Sequence, residues 1–125
     1  MKMYDFLEQF GSDCETIPGF LRVAISEVNS GICLYAKSSI PGFDAELASS
    51  FNLQVVKAKL NAIEAFHLNQ SIEDILITLT EEVHILDISK DNTYFIYLAI
   101  DSSQANLGMT KALLNRYKKQ LEGKL

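Results

Sequence analysis

The chain has no tryptophan, two cysteines, two prolines and six glycines among its 125 residues. Cys14 and Cys33 stand in no metal or redox spacing, and with no secretory context they read as reduced, buried thiols. The glycines are scattered and form neither GxxxxGK[ST] nor GxGxxG, so no phosphate-cradling loop is written into the chain. No run approaches the roughly 18 apolar residues that a membrane span needs. Met1 to Glu8 carries charge inside its apolar pattern and holds no signal-peptide core. These absences give the expectation of a cytoplasmic protein with no membrane span.

Positive charge is also scarce. There are 11 Lys and Arg against 16 Asp and Glu, a net charge of −5. Residues 1–109 hold 15 acids and 6 bases, whereas 110–125 hold 5 bases and 1 acid. So acidic a body is a poor nucleic-acid binder, because such binding rests on neutralising phosphates. Lys118, Lys119 and Lys124 are expected to complement the negative end of a C-terminal helix dipole.

What is present is a globular composition, 48% hydrophobic and 22% charged, in a single domain spanning 1–125 without linkers or low-complexity segments. Met3, Phe6, Leu7, Phe10, Cys14 and Ile17 have helical spacing, and Pro18-Gly19 stops that helix. Leu21 to Ser26 alternates as a strand, Asn29-Ser30-Gly31 turns, and Ile32, Leu34 and Ala36 continue on the return strand. Ile40-Pro41-Gly42-Phe43 repeats the chemistry of Ile17-Pro18-Gly19-Phe20 as a turn. Asp44 is a helix N-cap, with helical periodicity from Ala45 to about His67, closed by Asn69-Gln70-Ser71. Ile75, Ile77 and Leu79 alternate, Glu81-Glu82 makes a tight connection, and Val83 to Ile88 returns. Lys90-Asp91-Asn92 turns into Tyr94 to Ile100, seven apolar residues in a row, and a basic amphipathic helix follows.

An unbroken apolar strand must be covered on both faces, because successive side chains point to opposite sides of a sheet. Short connections between strands require antiparallel pairing. The expected fold is therefore α+β, an α-β-β-α-β-β-β-α domain. Its five-stranded antiparallel sheet has the order 2-1-5-4-3, with one helix on one face and two on the other.

On a helical wheel the long middle helix carries two apolar stripes. Leu47, Phe51, Val55, Ala58, Ala62 and Phe66 are expected to pack on the sheet. Leu53, Val56, Leu60 and Ile63, spaced three, four, three, suit a facing helix, the simplest being the same helix of a second copy about a two-fold axis. These four are the expected homodimer interface. Ile72 and Ile75 belong to an apolar edge strand that would be an aggregation liability if left unpaired. Glu46, Ser50, Gln54, Lys57, Asn61 and Glu64 form a polar ridge.

Little catalytic chemistry is visible. His67 and His84 are 17 positions apart with no HExxH or His/Cys cluster, and His84 reads as a partly buried structural residue. The pairs Glu73-Asp74 and Glu81-Glu82 read as solvated charges at strand ends. Ser102 and Ser103 read as helix N-terminal caps, and Asn106 as a buried, backbone-bonding residue. No catalytic residue, metal, cofactor or small-molecule substrate is expected, and every inward position read is filled by a bulky apolar side chain.

Four local features resemble the roadblock, or dynein-light-chain-related, family of profilin- and longin-like folds. They are Ile17-Pro18-Gly19-Phe20, the turn Asn29-Ser30-Gly31, the long middle helix, and the exit Phe95-Ile96-Tyr97-Leu98-Ala99-Ile100-Asp101 with Gln104-Ala105-Asn106-Leu107-Gly108. The exit is the most specific of them. The hairpin tip departs from the family's Asp-Gly-like form, and Pro41 is unusual in the loop before the middle helix. The resemblance covers essentially the whole domain. It implies a non-catalytic homodimer joined through the middle helices and third-strand edges, which adds Ile72 and Ile75 to the interface. That dimer would regulate or recruit a small Ras-like GTPase. The polar ridge would then be the GTPase contact. Arg22 and Arg116, the two arginines, lie on regular elements and are poorly placed as arginine fingers. The alternative is a structural adaptor indifferent to nucleotide state.

Overall fold

The structure is a computed structural model that describes residues 3–125, with side chains from Asp5 onward; Met1, Lys2 and the side chains of Met3 and Tyr4 lie outside the described residues. Its elements are α1 (Met3–Glu15), β1 (Phe20–Glu27), β2 (Cys33–Ser38), α2 (Ala45–Ala65), β3 (Asp74–Thr78), β4 (Glu82–Ile88), β5 (Tyr94–Asp101) and α3 (Leu107–Lys118), followed by one 3-10 turn, Lys119–Leu121. The sheet is antiparallel with strand order β2-β1-β5-β4-β3, as the sequence implies.

The apolar run of β5 explains the layering. Phe95 through Ile100 are each no more than 1% exposed, and alternate residues feed two cores. Ile96, Leu98 and Ile100 join Phe6, Phe10, Cys14 and Ile17 of the N-terminal segment and Leu114 and Leu121 of the C-terminal one. Phe95, Tyr97 and Ala99 join Ala24, Leu86, Leu53 and Val56 under α2. Two helices therefore cover one face and one helix covers the other. Among the described residues no helix is long and apolar enough to cross a membrane.

Two of the family-like motifs meet in space. Gly19 has φ +81, and its carbonyl accepts the Asp101 N–H at 2.7 Å. A Cβ at Gly19 would stand 2.9 Å from the Asp101 carbonyl oxygen, so the turn demands glycine there. The helix after that exit is capped by Asn106, whose side-chain oxygen accepts the Met109 N–H at 2.9 Å. Asn106 is exposed, not buried. Ser102 and Ser103 are not the caps: the Ser103 N–H and hydroxyl both donate to the Asp101 carboxylate, an Asx-type turn upstream of the helix. At the other end, Lys118 stands in the last turn of α3, and its Nζ also donates to both carboxylate oxygens of buried Asp87 at 3.1 Å. Lys124 lies over the Phe6 ring, 4.9 Å from its centroid.

Asp44 caps α2 as expected, accepting the Leu47 N–H at 2.9 Å. The helix stops at Ala65, earlier than Asn69. His67 takes a left-handed φ of 53, and the Leu68 N–H reaches back to the Ile63 carbonyl, which satisfies helix-end acceptors.

The phase of α2 is the reverse of the wheel reading. Leu53 and Val56 are buried in the protomer's own core, with Leu60 packed against it, while Leu47, Phe51, Val55, Ala58 and Phe66 are exposed. The sheet surface under α2 supplies the reason. It presents Ala24, Ser26 and Ala99, small groups that let a helix approach closely. The Ser26 and Ser49 hydroxyls share a buried hydrogen bond of 2.8 Å there. Rotating the helix to point Phe51 inward would break this buried hydrogen bond and set a bulky ring against the small groups of the sheet.

Candidate interaction face of the long helix

The outward stripe of α2 leaves large apolar side chains exposed. Leu47 is 53% exposed, Phe51 65%, Val55 38% and Phe66 76%; Ala58 is also exposed and Ala62 half-buried. Spaced four, four, three, four and four, they lie on one side of the helix. A contiguous apolar stripe of this length marks an interaction site, unlike scattered surface apolar residues.

The stripe runs into an open hollow of about 550 Å³ between α2 and β3, lined by Val55, Ala58, Lys59, Ile72, Asp74 and Ile75. The bulky apolar side chains read at inward positions in the sequence give no sign of this open hollow. The hollow exists because β3 ends the sheet, and α2 lies mainly over β1 and β2 at its other side. Beyond it, Leu76 (41%) and Leu79 (45%) are exposed along the same edge.

The residues expected at a dimer seam divide accordingly. Ile72 and Ile75 stand in the hollow beside the edge. Leu53 and Val56 are committed to the protomer's own core, while Leu60 and Ile63 are half-buried, with Leu60 against that core. The reading of Leu53 and Val56 is thus corrected: they serve the protomer's own core, and the apolar residues that α2 leaves exposed are Leu47, Phe51, Val55, Ala58 and Phe66. The polar ridge of Glu46, Ser50, Gln54, Lys57, Asn61 and Glu64 is exposed along its whole length, on a side of the helix distinct from the apolar stripe.

A buried polar cluster, unread in the sequence, lies on the same face of the sheet. Arg22, 4% exposed, donates from Nε to the Tyr97 hydroxyl at 2.9 Å and from Nη2 to Glu82 Oε1 at 2.6 Å. The Phe43 ring covers its guanidinium carbon at 4.1 Å. His84 Nε2 lies 2.9 Å from the same Glu82 oxygen, and its ring meets Tyr97 edge-on. Glu82 is therefore no solvated strand-end charge. Burial alone would raise its pKa, but hydrogen bonds and charge from His84 and Arg22 outweigh that and hold it below the ordinary value. Asp74 is likewise paired, to Lys111 at 3.0 Å. With its guanidinium enclosed, Arg22 cannot reach into a partner. The alternation of Arg22 with Val23 and Ile25 on a central strand was the one available signal that its side chain faces inward.

Other groups offer little chemistry. Burial, then the neighbouring Asp13 charge, pushes the Cys14 thiol up to about 12, far from a nucleophile's range. A second, polar hollow of about 460 Å³ is lined by Leu21, Thr80, Glu81, Glu82, Asp101, Ser102 and Ser103. Among the described residues no three His, Cys, Asp or Glu side chains gather as a metal-binding group.

No protein-family model matches the sequence, and no curated protein matches it. Solved structures do. The gliding protein MglB from Thermus thermophilus superimposes over 97% of this chain and 89% of its own, with TM-score 0.78 at 12% identity. MglB of Myxococcus xanthus gives 97%, 92%, 0.75 and 12%. A Roadblock/LC7 domain from Streptomyces avermitilis gives 90%, 92%, 0.76 and 8%. Identities this low speak for the backbone alone, and there the agreement spans nearly the whole of each chain. The chain has the roadblock fold.

Proposed function

We propose that this chain is a non-catalytic regulatory module that pairs with a second copy of itself and binds a small Ras-like GTPase. The observation that carries the reading is the apolar stripe of α2, exposed beside an unpaired, apolar strand edge in a roadblock fold. A two-fold axis near Val55 and Ala58 would bring two such stripes together antiparallel. The small central residues allow close approach, and Leu47 and Phe51 of one copy would meet Ala62 and Phe66 of the other. The β3 edges would meet on the same axis and extend the sheet.

The polar ridge of Glu46, Ser50, Gln54, Lys57, Asn61 and Glu64 is the proposed GTPase surface. It lies to one side of the stripe, so both copies would still present it after pairing. Charged rim residues of this kind set association rate and partner choice more than raw affinity. Any acceleration of GTP hydrolysis would come from positioning the GTPase's own residues, since Arg22 is enclosed and Arg116 sits on α3, across the sheet from the ridge.

The test is a pull-down of a Ras-like GTPase, loaded with GDP or a GTP analogue, on wild type and on Lys57→Glu/Glu64→Lys. Binding that depends on the nucleotide and disappears in the variant, with assembly state unchanged by light scattering, is the expected outcome. Equal capture of both nucleotide states would favour a structural adaptor, and undiminished capture by the variant would refute the ridge.

A further inference from the structure

We propose that Phe43, Arg22, Glu82 and His84 form a proton-operated latch that fixes the loop in front of α2. Phe43 belongs to the segment joining β2 to α2 and immediately precedes Asp44, the residue that caps the helix. Its ring is 39% exposed, and its inner face rests on the Arg22 guanidinium 4.1 Å away, a cation–π contact. The position of that loop is therefore tied to where Arg22 is held.

Arg22 is held by a carboxylate oxygen that it does not own alone. Glu82 Oε1 accepts from Arg22 Nη2 at 2.6 Å and stands 2.9 Å from His84 Nε2, while the two nitrogens lie 3.4 Å apart. The charged and titratable groups facing His84 are Glu82 on its own strand, Arg22 on β1 and Tyr97 on β5. Asp101, opposite Glu82 across β4–β5, spends its carboxylate on Ser103, and β3 places uncharged Ile77 opposite His84. No further anion in this set can compensate a second cation.

With His84 neutral, one carboxylate serves one cation and the latch is closed. A proton on His84 gives Glu82 Oε1 two cations to serve, with Arg22 and His84 repelling across 3.4 Å in a partly buried site. The least costly relief is displacement of the guanidinium from Glu82, which carries Phe43 with it and loosens the segment that sets the first turn of α2. Glu46 and Ser50, at the start of the ridge, lie in the turns so affected. This last consequence rests on the ridge reading above; the latch itself does not.

The chain lacks tryptophan, so Phe43→Trp places a single, selectively excitable tryptophan over Arg22. The expected result is a one-proton change in emission as the pH is lowered. The change should be lost in Phe43→Trp/His84→Gln and kept in Phe43→Trp/His67→Gln, which removes the other histidine. A flat titration, or one that survives His84→Gln, overturns the latch. Should the indole itself displace the loop, the amide resonances of residues 42–47 provide the same test without it. They should shift with pH in the wild-type chain and stay put in His84→Gln, and pH-independent resonances in wild type overturn the proposal. All of these readouts use the chain alone, so failure of the latch leaves the GTPase reading standing, and failure of GTPase binding leaves the titration interpretable.

Discussion

β2 and β3 both end the sheet, yet β2 is packed from two sides while β3 is paired chiefly with β4. α2 lies on one face of β2 and α1 on the other. Tyr35 reaches over Gly11 of α1, and Lys37 bridges to Glu15 at 2.6 Å. On β3, Leu76 is exposed, the hollow opens beneath Ile72 and Ile75, and Lys111 to Asp74 is the ion pair that ties the strand to α3. A protein manages an apolar edge by covering it or by pairing it. Covering accounts for β2; β3 has the form of an edge that awaits pairing.

The sharpest way to break this contrast is one chemical change made beside each edge. Phe51→Asp removes an exposed anchor from the stripe beside β3, and Ala36→Asp adds the same charge at an exposed position on β2. Burying one Phe is worth about 1.5–3 kcal/mol, and a two-fold axis counts it twice. The dimer Kd should therefore rise more than about 100-fold in Phe51→Asp and stay within a few-fold in Ala36→Asp, measured by sedimentation. Leu60→Asp is the wrong probe, because Leu60 packs against the protomer's own core and its loss would report folding. A Phe51→Asp variant as dimeric as wild type would mean that the stripe faces something other than a second copy.

How far the sequence carries this contrast depends on the range of the interactions. The strand order was legible because the β5 run and the short turns are local signals, as were the Asp44 cap and the Gly19 turn. Which stripe of α2 faces inward was not legible. Both stripes are apolar and helically spaced, and the choice is made by Ser26 meeting Ser49 from a different element. Arg22 finds Glu82, His84 and Tyr97 at separations of 60, 62 and 75 residues, beyond any periodicity. The polar ridge was readable as a surface, since six polar residues sharing one side of an amphipathic helix have nowhere else to go. The partner stripe was misread for the same reason that the helix phase was.

The packing of β2 can be tested at Gly11. A Cβ built there stands 1.8 Å from the Tyr35 hydroxyl oxygen and 2.4 Å from the adjoining ring carbon, so the whole ring must move. Overpacking of this kind costs about 1–3 kcal/mol, against a helix-propensity gain of about 1 kcal/mol for Gly→Ala. Gly11→Ala should be destabilised by about 1 kcal/mol in urea unfolding, the difference between those two effects. In a Tyr35→Ser background the same substitution should become neutral or stabilising, because the clash is gone and the propensity gain remains. Additive effects would show that Tyr35 does not hold β2 to α1.

The smallest expected effect concerns the strand that anchors β3. Asp74 and Asp87 stand opposite each other across β3–β4, held by Lys111 and Lys118 of α3. Burial raises the Asp87 pKa despite the hydrogen bonds and charge of Lys118, whereas Glu82 at the other end of β4 is held low. The two carboxylates thus give stability terms of opposite sign. A folded-state pKa above the unfolded one means that the native state binds the proton more tightly. The Asp87 contribution is then fully present below the unfolded value and lost as pH rises through the folded one. Glu82 contributes above its unfolded value, and that contribution is lost as pH falls through its folded one. In Asp87→Asn the first term vanishes and the second stays. Relative to wild type, the variant should therefore gain stability as pH rises above about 3.8, the ordinary aspartate value, and level off once wild-type Asp87 is ionised. Urea midpoints measured at steps across that range check the slope. A difference between the two proteins that is constant with pH would show that Lys118 just offsets burial, and one that grows in favour of wild type would show that Lys118 outweighs it and that the α3 clamp on β4 is a net-favourable ion pair.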